Sequence, residues 1–147
     1  MTTTDGFDVS LDISMDPARL DVDRVHRWLS TDAYWALGRS RETVERAIAG
    51  SVNYGAYAPD GTQVAYARAV TDRATFGWLC DVYVDPAWRR RGLGVRLVET
   101  VRDHLLGLGV RRLLLATADA HGLYARLGFT PLAEPGRWME LGAQVSE

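Results

Sequence analysis

Residues 80–94 read Cys80-Asp81-Val82-Tyr83-Val84-Asp85-Pro86-Ala87-Trp88-Arg89-Arg90-Arg91-Gly92-Leu93-Gly94. A run of strand character gives way to a proline turn, then to three arginines and a glycine pair. Leu93, Leu97, Val98, Val101, Leu105 and Leu108 follow as a helical stripe that ends near Gly107 and Gly109. The first N–H groups of a helix lack internal partners, and the helix dipole adds partial positive charge there. Glycine lets the backbone approach a ligand closely, and arginine adds charge-assisted, often bidentate bonds to phosphate oxygens. This junction therefore favours a phosphate-bearing ligand. Neither the dinucleotide pattern G-x-G-x-x-G nor the P-loop pattern G-x-x-x-x-G-K-[ST] is present. The plain alternative is a Gly-rich turn with solvated arginines.

Outward from that junction the chain alternates element types. Residues 7–14 alternate Phe7, Val9, Leu11 and Ile13 with polar residues and predict a first strand. Val22, Val25 and Leu29 predict a helix, with His26 extending its stripe. Ser40 reads as the N-cap of a second helix that turns Val44, Ala47 and Ile48 inward and stops at Gly50. Strands are expected over 52–58, 63–70 and 75–84, the first two joined by the turn Pro59-Asp60-Gly61-Thr62. Past the long helix, residues 112–117 read as a short strand and 120–127 as a helix closed by Gly128. Residues 129–132 and 137–141 read as final strands. This order describes a mixed α/β sheet in a single domain, residues 1–147.

Composition narrows the function classes. The chain has 147 residues, 47% hydrophobic and 24% charged, with a net charge of −2. That balance gives no reason to expect nucleic acid as a partner. All 17 basic residues are arginine. Cys80 stands alone, which fits a reducing compartment. The N-terminus lacks the basic start and apolar core of a signal peptide, and no apolar run approaches the roughly 18 residues of a membrane span. A soluble, cytoplasmic protein that binds no membrane and needs no metal is expected.

A second motif, Leu123-Tyr124-Ala125-Arg126-Leu127-Gly128-Phe129, lies downstream. R-x-x-G-x-G between a strand and a helix, followed by L-Y-x-x-x-G-F, resembles the GNAT (Gcn5-related N-acetyltransferase) superfamily, and the resemblance covers nearly the whole chain. It implies a mostly antiparallel sheet with one splayed strand pair and helices on both faces. It also implies acetyl-CoA as co-substrate, its pyrophosphate held by Arg89, Arg90, Arg91, Gly92, Leu93, Gly94 and Val95. The pantetheine arm would run along Val82, Tyr83 and Val84, with a main-chain N–H near Val82 polarising the acetyl carbonyl. Thr117 stands where many members carry a coenzyme-binding Asn. A hydroxyl still donates there, less amply.

The chemistry sets three problems. An alkyl ammonium has a pKa near 10.4, so freeing its lone pair at pH 7 costs about 4–5 kcal/mol. The thioester carbonyl must accept negative charge, and the departing thiolate needs a proton. The resemblance assigns Tyr124 as general acid; the alternative is a buried tyrosine bonded to a carbonyl. For the base, the family offers a Glu or an ordered water. Asp81 is the candidate here, among apolar neighbours that would raise its pKa. It could equally attract the substrate ammonium, or cap a loop. His26 and His121 are less suited, His26 because it lies on an apolar stripe.

For the acceptor, Tyr34, Trp35 and Trp78, with Trp28, fall in segments that line the acceptor groove in the family, and could bind an apolar or cationic amine. Core packing is the alternative. The expected activity is transfer to a primary amine, of a small molecule on account of the short chain. Transfer to a protein N-terminus or lysine competes with it, as does an acyl-CoA-binding sensor without turnover. Dimers are common in the family, so a homodimer stays open.

Overall fold

In a computed structural model that describes residues 12–142, the meander is built from β2 (Val52–Tyr57), β3 (Gln63–Thr71) and β4 (Gly77–Val84). β1 (Asp12–Ser14) and β5 (Leu113–Leu114) flank it, giving a five-stranded sheet in the order β1-β2-β3-β4-β5. β1 to β4 are antiparallel neighbours and β5 runs parallel to β4. Residues 7–11 of the expected first strand lie outside the described residues. The chain gathers into two compact units, Met1–Ala116 and Thr117–Glu147, and each is described by itself.

Turn and cap chemistry sets the elements of the first unit. Gly61 takes φ +91° in the β2–β3 turn, where the Ala58 N–H donates to the Thr62 carbonyl at 2.8 Å. Helix α1 (Val22–Thr31) starts where Asp21 accepts the Arg24 N–H, and α2 (Arg41–Ala49) where Ser40 accepts the Thr43 N–H. Strand β4 starts later than expected because Asp72 accepts the N–H groups of Ala74, Thr75 and Phe76, holding residues 75–76 in a turn. Helix α3 (Leu93–Gly107) ends in a Schellman cap: Gly109 sits at φ +95°, and the Val110 N–H reaches the Leu105 carbonyl at 3.1 Å. That ending turns Leu108 out to solvent, 43% exposed, so it does not belong to the helical stripe.

The sheet is covered on both faces. Val25, Trp28 and Leu29 of α1 and Val44 of α2 bury against Tyr66 and Tyr83. Tyr54, which alternates with these positions, faces α3 and shares a 2.7 Å hydrogen bond with His104 Nδ1. Leu93, Leu97, Val98, Val101 and Leu105 make the apolar face of α3. Each such fully buried side chain contributes about 1.5–3 kcal/mol by leaving water.

In the second unit, helix α4 (His121–Arg126) is followed by a 3-10 turn, Pro135–Arg137. The final strands expected over 129–132 and 137–141 are not formed. Pro131 has no N–H to donate to a ladder, and the Arg137 and Trp138 N–H groups are spent on the 3-10 turn. The strand expected over 112–117 shrinks to two residues, since only Leu113 and Leu114 pair, with Gly77 and Trp78. Among the described residues, no helix is long and apolar enough to cross a membrane.

Candidate active site

β4 breaks its own register. Tyr83 pairs with Tyr66 and Cys80 with Arg68, so Asp81 and Val82 together oppose Ala67 in a β-bulge. Asp81 accommodates it at φ +53°, a conformation that Asp tolerates better than most residues. Without the bulge Asp81 would face α3; with it, the carboxylate turns to the side of α1 and α2. On its other edge β4 pairs with β5 only at Gly77 and Trp78. From Leu79 to Val84 that edge has no ladder partner among the described residues. This is the splay.

β4 leads into the loop. Asp85 caps the 3-10 turn Pro86–Trp88, Arg90 takes φ +65° and Gly92 φ +78°. Gly92 is the N-cap of α3 and brings no side chain to cap it. The first helical bond runs from Arg96 N–H to the Gly92 carbonyl, so the N–H groups of Leu93, Gly94 and Val95 precede the helical ladder. The Leu93 side chain is core, leaving only its backbone to the loop. Arg90 and Arg91 are exposed, Arg91 lying 4.8 Å over the Trp88 ring.

Arg89 opens the loop. Its Nε donates to the Val84 carbonyl at 2.8 Å, its Nη2 lies 3.4 Å from Asp32, and it stacks over Tyr83. These contacts brace the loop to β4. Asp32 also accepts the Tyr83 hydroxyl at 2.5 Å. Burial and that neighbouring carboxylate push the Tyr83 phenol up to about 12.

Asp81 corrects an expectation. Its surroundings are charged, not apolar: Trp35 Nε1 donates to Oδ1 at 2.8 Å, while Arg39 Nη1 and Arg68 Nε donate to Oδ2 at 2.8 and 2.9 Å. Burial pushes the carboxyl upward, but the charges of Arg68 and Arg39 and the bonds from Arg68 and Trp35 outweigh it and hold the pKa below the ordinary value. A carboxylate so engaged is a poor proton acceptor at neutral pH. With two guanidiniums on it, it is also a poor attractor of an ammonium ion.

Trp35 and Tyr34, 41% and 51% exposed, form a T-shaped pair at 4.9 Å beside this cluster. Trp78 is partly exposed on β4, whereas Trp28 is core, stacked 5.2 Å from Tyr83. His26 Nε2 meets the Arg39 carbonyl at 3.0 Å and so holds the α1–α2 loop that carries Arg39.

The second unit presents the other motif. Thr117 Oγ1 accepts the Asp119 and Ala120 N–H groups, shaping the entry to α4, while His121 is exposed in the first turn. Gly128 stands at φ +99°, its N–H on the Ala125 carbonyl at 3.1 Å, and the Phe129 N–H reaches the Tyr124 carbonyl at 3.1 Å. This is a Schellman cap, completed by the edge-on contact of the Tyr124 and Phe129 rings at 5.8 Å. The spacing Y-x-x-x-G-F is thus fixed by a helix ending. The ring contact needs an aromatic, not a hydroxyl.

An unpaired β4 edge running through a bulge into an uncapped glycine-led helix agrees with a sequence match: the acetyltransferase (GNAT) family pattern covers residues 22–129. The chain belongs to the GNAT acetyltransferase family. It is 44% identical to a GNAT protein of Xanthomonas campestris pv. campestris known from a crystal structure, with a TM-score of 0.88 over 94% of this chain and 96% of that one. It is 31% identical over 133 residues to a Gibberella zeae protein named as an acetyltransferase, 78% of this chain and 75% of that one. A Mycobacterium tuberculosis protein crystallised with CoA shares the fold at 23% identity, TM-score 0.68, over 92% of this chain and 76% of that one.

Two residues of the Asp81 cluster in this GNAT chain escaped the sequence reading, Arg39 and Arg68. Arg68 could have been found, because it is a lone charge in the apolar run of β3, one strand from the lone carboxylate of β4. Arg39 carries no such signal, since arginine in a loop is ordinary.

Proposed function

We propose that the protein transfers an acetyl group from acetyl-CoA to the primary amine of a small molecule. The observation that carries this reading is the uncapped start of α3 directly after the unpaired edge of β4. Arg90 and Gly92 are left-handed where the loop enters the helix, and an uncapped helix start after such a turn suits a diphosphate. In this reading the amides of Leu93, Gly94 and Val95, with Arg90 and Arg91, hold the diphosphate. The free edge at Val82 to Val84 takes the pantetheine amides as an added strand would.

When bound, acetyl-CoA supplies a thioester whose carbonyl carbon takes the amine lone pair and whose C–S bond breaks, leaving the N-acetyl product and CoA. The Val82 N–H, in the bulge, polarises the carbonyl. Tyr124 donates its phenolic proton to the departing sulfur, and the nitrogen releases its own proton to water, from which the phenol is restored. Asp81 takes no proton in this scheme. It positions Arg39, Arg68 and Trp35. Thr117 retains a hydroxyl proton to offer the coenzyme.

Titration calorimetry tests the cradle. Arg90→Ala/Arg91→Ala removes two charge-assisted contacts, and acetyl-CoA affinity is expected to fall about 10- to 100-fold with the fold intact. Equal affinity in wild type and double mutant would refute the assignment.

A further inference from the structure

From the cluster on β4 we infer that the acceptor is an amine that also carries a carboxylate, held by the free edges of Arg39 and Arg68; this rests on the acetyltransferase reading.

The argument starts from counting charge. Two guanidiniums meet one carboxylate, Asp81, whose side chain is 2% exposed, while those of Arg39 and Arg68 are 22% and 14% exposed. The other titratable groups acting on Arg68 are Cys80 and Tyr66; burial pushes the thiol up to about 11 and raises the phenol as well, so both stay neutral at pH 7 and add no negative charge. The cluster therefore holds one uncompensated positive charge in a partly dry setting, where an opposite charge is worth more than in water. One charge matches a carboxylate better than a doubly charged phosphate.

The donors are also in place. Arg68 spends Nε on Asp81 and Nη1 on the Ser51 hydroxyl at 3.0 Å, and Arg39 spends Nη1 on Asp81. Arg68 Nη2 and Arg39 Nε and Nη2 make no hydrogen bond among the described residues, and none of them is sealed from solvent. Asp81 pins both guanidiniums, so little freedom remains to be lost when an anion arrives. His26 adds to this by holding the Arg39 backbone.

Position completes the case. Asp81 and Val82 share one bulge, so the cationic cluster lies one residue from the N–H assigned to the acetyl carbonyl. A positive field there also disfavours the ammonium form of a bound amine and so helps expose its lone pair. The exposed Tyr34–Trp35 pair alongside offers an apolar wall to the rest of the acceptor.

The test uses the full chain, acetyl-CoA and a free-thiol readout. Phenylalanine, leucine and glutamine are each compared with the matching primary amide and decarboxylated amine, with kcat/KM expressed per unprotonated amine. The acid is expected to be favoured about 10-fold or more, and Arg39→Gln to reduce that acid-to-amide ratio about 10-fold, with partial recovery in Arg39→Lys. A ratio does not move if the variant merely loses folded protein. Amides or amines acetylated as well as the acids, acids left untouched by a protein that binds acetyl-CoA, or a ratio unchanged in Arg39→Gln would each overturn the inference. Failure to bind acetyl-CoA in calorimetry is a separate result, and it would remove the acetyltransferase reading itself.

Discussion

Tyr124→Phe is expected to lower kcat about 100-fold or more while leaving acetyl-CoA affinity within about twofold, since a positioned proton donor contributes roughly 10²–10⁴ in rate. The substitution keeps the ending of α4. Tyr124 contributes its ring to the Phe129 contact and its carbonyl to the Phe129 N–H, and phenylalanine supplies both. The helix ending is preserved while the phenolic proton is removed. Thiol release under saturating acetyl-CoA gives the rate, and calorimetry gives the affinity. The same pair of measurements separates an enzyme from an acyl-CoA sensor, which binds and has no turnover to lose.

The second large effect falls on stability. Asp81→Ala is expected to cost about 3–5 kcal/mol, because removing one partner of a buried ion pair strands the other charges. Two guanidiniums are stranded here, Arg39 and Arg68, and the Trp35 N–H loses its acceptor. For a domain of this size the loss corresponds to roughly 6–20 °C in Tm, readable in a thermal melt. Acid titration of the wild type carries the sign. The folded pKa of Asp81 lies below its unfolded value, so its contribution is complete above about pH 4 and is lost as pH falls through the folded pKa. Between those two values the unfolded chain binds more protons, so stability rises with pH. The variant should show a shallower slope in that window and no change in slope near pH 7.

How much of this was legible differs from residue to residue. The arginine–glycine loop and α3 were readable because helix periodicity and glycine placement are local signals. The α4 ending was readable for the same reason: Gly128 is the residue that a left-handed cap demands. Leu108 was misassigned because the stripe continued in sequence past the point where Gly109 ends the helix. The final strands were misread from apolar character, while Pro131 already argued against a ladder in the first of them. Asp81 is the instructive failure. Its sequence neighbours are apolar, but the residues that set its pKa arrive from β3 and from the α1–α2 loop, and no periodicity announces a bulge.

A crystal of the protein grown or soaked with saturating acetyl-CoA tests the central claim most directly. The diphosphate is predicted against the amides of Leu93, Gly94 and Val95, flanked by Arg90 and Arg91, with the pantetheine arm bonded along Val82 to Val84. Coenzyme density elsewhere on the chain, or its absence from the β4–α3 junction at saturation, would contradict the account.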